Sequence, residues 1–236
     1  MAIRRYLAMT AAEIRASGDL PPKIAWMACH FSPYCTGLSN LPKALPAGSL
    51  LILDDFTPIC GHDPEQIAAQ LKQRAEALEC AGILLDFQRP GNPETAALAQ
   101  YLTQALPRTV AVSQPYAQGL SAPVLLPPVP HHVPLREYLA PWQGREIWLE
   151  MALGAERITL TSHGAEFADI SREETKTEGF ADTNLQSHYA AETSESAATF
   201  TLWRTARDLD ALLEEAEANG VSTAVGLYQE LGTEGF

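Results

Sequence analysis

Three apolar runs of this chain carry acids at their C-terminal ends. Residues 49–55 (SLLILDD) close on Asp54 and Asp55, residues 83–87 (ILLDF) carry Asp86, and residues 145–151 (REIWLEM) carry Glu150. Gln88 lies two residues past Asp86, so in an extended segment both side chains point to the same side. Acids at the ends of neighbouring strands can do acid–base work, or orient a polar ligand, if the fold brings them to one mouth. Gln114 and Tyr116 follow another apolar run and Glu230 follows the last one, so they could join the same mouth. A strand-end polar residue is equally often a turn residue or a cap. Arg89 could set a guanidinium at the rim, suited to an anionic group, or pair with a surface acid. Trp26, Trp142, Trp148 and Trp203 could stack on a ligand ring, but core packing is the commoner fate of a strand tryptophan.

The elements that must position these residues read as strands and helices in alternation. Strands are expected at 23–31, 49–55, 83–87, 109–113, 123–126, 145–151, 198–203 and 221–228. Asp63-Pro64-Glu65 and Asn92-Pro93-Glu94 are helix starts, with an N-cap side chain, proline at the first helical position and an acid in the first turn. A helix over 206–219 buries Leu209, Leu212, Leu213 and Ala216 and ends at Gly220. A weak helix covers 135–142, and Thr10 to Glu13 forms a capping box. Eight continuous apolar strands separated by helices predict an α/β fold, a (β/α)₈ TIM-type barrel, forming a single domain over 1–236. No glycine-rich phosphate loop follows the first strand, which weighs against an open nucleotide-binding sheet. Residues 157–170 (RITLTSHGAEFADI) alternate with period two around Ser162-His163-Gly164, a β-hairpin pattern. With the polar, acidic stretch 171–196 they predict an insertion over 156–197, between the sixth and seventh strands.

Composition narrows the partners. The 236 residues carry 16 basic and 29 acidic side chains, a formal net charge of −13. Such a field repels nucleic acid and anionic membranes. The four cysteines match no zinc signature, and a metal site drawn from Cys29, His30, Cys35, Cys60 and His62 is disfavoured by their spacing. Neither a metal nor a cofactor is expected. The N-terminal segment lacks the apolar run of a secretory signal, so a cytoplasmic location is expected.

The segment Ala81-Gly-Ile-Leu-Leu-Asp-Phe-Gln88 resembles the strand-four signature of glycoside hydrolase family 18, the chitinase family, which runs D-G-x-D-x-D-x-E. Gly82, Asp86 and the aromatic Phe87 agree; Ala81, Leu84 and Gln88 replace three acids. Phe200-Thr-Leu-Trp203, the helix from Ala206 and Ala224-Val-Gly-Leu-Tyr-Gln-Glu-Leu-Gly232 resemble the end of the bacterial spore-type members, with Gln229 where a floor tryptophan usually sits. The resemblance implies a retaining mechanism in which the substrate's acetamide is the nucleophile, an exception to the two-carboxylate scheme. Asp86 would then orient the acetamide, and Gln229 at the floor position, with its neighbours Tyr228 and Glu230, would bind substrate. Gln88 would stand at the general-acid position, where an amide can donate a hydrogen bond but delivers no proton at neutral pH.

The sequence therefore predicts a carbohydrate-binding barrel for an N-acetylglucosamine-containing oligosaccharide or a peptidoglycan fragment, without the usual cleavage. An active hydrolase would need Asp54, Asp55 or Glu150 as acid. A scaffold protein would use the acidic stretch 171–196 and leave the barrel empty.

Overall fold

The computed structural model describes residues 2–34, 36–89, 91–175 and 178–232. Eight parallel strands close on themselves: β1 (Arg4–Met9), β2 (Ile24–Phe31), β4 (Leu50–Asp54), β5 (Gly82–Asp86), β6 (Thr109–Ser113), β7 (Val124–Leu126), β8 (Ile147–Met151) and β14 (Val221–Leu227). β1 pairs with both β14 and β2, which closes the barrel. A two-residue strand, β3 (Leu38–Ser39), adds antiparallel to β2. The fold is the expected (β/α)₈ type, with α1 (Ala11–Ala16), α2 (Pro64–Ala77), α3 (Pro93–Ala105), α4 (Leu135–Leu139) and α5 (Ala206–Ala218) between strands, and α6 (Tyr228–Leu231) after the last.

Side chains alternate along each strand. Leu51, Leu53, Ile83, Leu85, Val110 and Val112 face the helices in one large core. Leu50, Ile52, Leu84, Ala111, Leu125 and Trp148 face the barrel axis in a second, smaller one. Helix starts follow the local chemistry. Asp63 accepts a hydrogen bond from the Glu65 amide at 3.0 Å, and Asn92 from the Glu94 amide at 2.9 Å. Gly82 opens β5 because the neighbouring strand is too near for a side chain: a Cβ there would lie 2.8 Å from the Thr109 carbonyl oxygen.

Two strand assignments need correction. Arg4–Met9 is a barrel strand that the sequence did not suggest, because two arginines precede its short apolar run. Residues 197–203, expected as the seventh barrel strand, belong to a second sheet. That sheet is antiparallel, in the order β10 (Gly164–Ile170), β9 (Ala155–Thr161), β13 (Ala197–Trp203), β12 (Ser187–Thr193), β11 (Phe180–Asp182). The hairpin is therefore part of a five-stranded insertion between the seventh and eighth barrel strands, not the sixth and seventh. The same shift makes residues 82–86 the fourth strand of the barrel, the place that the signature's family position requires.

Arg204, 1 % exposed, ties the insertion to the barrel. Its guanidinium donates to the carbonyls of Val129 and Pro130 in the loop after β7, and to those of Leu185 and Gln186 in the insertion.

Candidate functional site

The inward positions Leu50, Ile52 and Asp54 of β4 run parallel to Leu84 and Asp86 of β5, and Asp54 pairs directly with Asp86 across the ladder. The last inward layer is thus acidic at the strands' C-terminal ends, where barrel sites form. Glu150 projects from β8 and Glu230 from α6 into the same space. Together they line a cavity of about 480 Å³ over an apolar floor of Ala8, Met27, Ile52, Leu84 and Val225.

His30 completes the layer. β2 carries an extra residue between Trp26 and Cys29 relative to β4. That bulge leaves Ala28 and Cys29 in the outer core and turns His30 inward, opposite Asp54. His30 Nδ1 lies 2.7 Å from Asp54 Oδ1, which also accepts the Phe56 amide at 3.0 Å. From the sequence, His30 stood out only as a member of a disfavoured metal set. Among the described residues no group of three ligating side chains could hold one metal ion, and Cys35 of that set lies outside them.

The acids differ in their surroundings. Burial raises the Asp86 carboxyl above its usual range, and the Asp54 and Asp55 charges add to this, while the Gln88 amide opposes it. Gln88 itself is exposed, and its Nε2 donates to Asp86 Oδ1. Burial pushes Glu150 up to about 7, helped by the charges of Asp86 and Glu230. Glu150 has no hydrogen-bonding partner among the described residues. Glu230 Oε2 accepts the Leu153 amide at 3.2 Å.

Other candidates stand elsewhere. Asp55, 4 % exposed, points away from the mouth and accepts the Gln88 and Arg89 amides, each at 3.0 Å. It braces the loop after β5 and is not an available acid. Tyr116 is buried against Phe87, donates to the Arg89 carbonyl and accepts the Asn92 amide, so it supports the same loop. Gln114 opens a short 3₁₀ turn after β6 and does not line the cavity. Arg89 donates to the Phe56 carbonyl at 2.6 Å and is exposed; the adjoining Pro90 lies outside the described residues. Trp148 is 1 % exposed inside the barrel, its indole donating to Glu146 at 3.2 Å, and cannot stack on a ligand. Tyr228 accepts from Ser17 at 3.4 Å and Gln229 bonds to Glu13. The exposed rings at the rim are instead Phe56 and, on the insertion, Phe167.

No family model matches the chain, and no curated protein sequence matches it. Solved structures do. The chain superposes on a chitinase from Chromobacterium violaceum with a TM-score of 0.60 and 12% identity, covering 98% of this chain and 95% of that one. A family 18 N-acetylglucosaminidase from Paenibacillus barengoltzii gives 0.61 at 10%, over 98% and 96% of the two chains. The spore cortex-lytic enzyme SleL of Bacillus cereus gives 0.58 at 11%, over 95% of this chain and 70% of that one. The chain therefore has the chitinase-like TIM-barrel fold of glycoside hydrolase family 18 structures.

Proposed function

We propose that this barrel binds an amino-sugar oligosaccharide at its mouth and does not cleave it by the family's usual route. The observation that carries the reading is the pair at the end of β5, where the Gln88 amide donates to the Asp86 carboxylate beside the cavity at the mouth. A glutamic acid at that position would supply a proton; a glutamine only holds its neighbour in place. Loss of a general acid typically slows such chemistry by roughly a hundred to ten thousand times. The ligand class is supported by the solved structures with this fold, among them a Cycas revoluta chitinase in complex with (GlcNAc)₃.

The expected result is that chromogenic N-acetylglucosaminides and peptidoglycan are not turned over by the native chain, and that Gln88→Glu gains measurable hydrolysis. Turnover by the native chain would overturn the non-catalytic part of this reading. A second reading has a specific observation in its favour. Glu150, half-buried, without a hydrogen-bonding partner among the described residues and half-protonated near neutral pH, has the properties of an acid catalyst. If the native chain is active and Glu150→Gln abolishes that activity, this second reading is the right one.

A further inference from the structure

We propose that the unit held at this mouth is a protonated amino sugar, a de-N-acetylated glucosamine residue within an oligosaccharide, rather than a neutral N-acetylated one. This rests on the sugar-binding reading above and specifies its ligand.

The charges around one cavity are of one sign. Four carboxylates, Asp54, Asp86, Glu150 and Glu230, line it, and among the described residues no lysine or arginine does. The basic side chain next to this loop, Arg89, is turned onto the Phe56 carbonyl. Among the four acids His30 pairs with Asp54, and its ring also meets that of Phe56. Asp86 and Glu230 are met by neutral donors, the Gln88 amide and the Leu153 backbone, and Glu150 by none among the described residues. The cavity thus holds negative charge that its own walls leave unbalanced.

That charge is not gathered for a metal ion. Among the described residues no three ligating groups are placed so that they could hold one metal ion. The acids are spread around a space of about 480 Å³, a volume suited to a small organic ligand. The floor below them is apolar, which suits the C–H face of a sugar ring. Above it, an ammonium offers three donors and a positive charge to groups that are only acceptors when ionised. An acetamide offers one N–H and turns a carbonyl oxygen toward the same acceptors. Burial, helped by the charges of Asp86 and Glu230, raises the Glu150 carboxyl, and a bound cation would oppose the part that those charges contribute.

Calorimetric titrations at pH 6 with glucosamine oligomers and N-acetylglucosamine oligomers of equal length test this. The glucosamine oligomers should bind at least about tenfold more tightly, and the advantage should shrink between about 20 and about 300 mM salt. Glu230→Gln, whose amide oxygen can still accept the Leu153 amide, should reduce the same advantage. Equal or tighter binding of the N-acetylated oligomers would overturn this inference and leave the sugar-binding reading intact. Absence of heat with both would overturn the two together. The comparison of the two ligands on the native chain decides the matter even if the variant does not fold.

Discussion

Four neighbouring acids of this chain have different chemistry because different groups meet them. Asp54 and Asp55 are adjacent in sequence, yet alternation puts the first at the mouth and the second in the loop packing. Counting inward from Leu50 and Ile52 reaches Asp54, so this distinction was present in the sequence for any reading that followed the parity. Asp55→Ala removes the carboxylate that the part-buried Gln88 and Arg89 amides donate to, and each hydrogen bond to a charged group contributes roughly 1.5–3 kcal/mol. Denaturant unfolding of this variant should show a loss of about 2–4 kcal/mol. Glu150 works in the opposite direction. Its native carboxyl titrates at about 7 against an ordinary 4.5, so the folded state binds more protons through that window and stability falls as pH rises across it. Glu150→Gln removes this penalty and should stabilise the protein by roughly 2–3 kcal/mol at pH 8, with the gain fading to nothing below pH 4. A gain that grows toward acid would contradict the assignment. His30 was the residue hidden from sequence. Period two counted from Met27 puts Cys29 at the mouth, and only the bulge in β2 replaces it with His30.

At the scale of elements, the helices and the buried parallel strands were legible because their signals are local: caps, prolines and continuous apolar runs. The Asx-Pro-Glu starts of α2 and α3 and the capping box of α1 lie where they were expected. What misled was the run 197–203. Thr199 and Thr201 alternate there with Phe200 and Leu202, the pattern of an antiparallel strand with one polar face. A strand of the barrel, apolar on both faces, does not alternate in that way. Placing this run in the insertion gives Arg204 its role at the junction. Arg204→Met removes the donors that hold four backbone carbonyls from the two units. It should cost about 3 kcal/mol, and hydrogen exchange should quicken across residues 155–175 and 178–203 more than in the barrel strands. Uniform protection in both regions would show that packing alone holds the insertion.

At the scale of the molecule, the count of eight strands was right and one member of the set was wrong. The architecture survived the error because it follows from alternation of apolar strands with helices, not from any one strand. The acidic mouth depends on the closed barrel: β4 and β5 are neighbours, while β8 and α6 bring their acids from the other side of the ring. The net charge of −13 surrounds this mouth with a field that disfavours anionic ligands. Everything proposed for this molecule depends on the mouth around Asp86 being a sugar site. Its most direct test is calorimetric titration of the native chain and of Asp86→Ala with a partially N-acetylated glucosamine oligomer, which includes both kinds of unit. Binding by the native chain, weakened at least about tenfold in the folded variant, is the predicted result. No heat with the native chain, or equal affinity in the two proteins, would contradict the account.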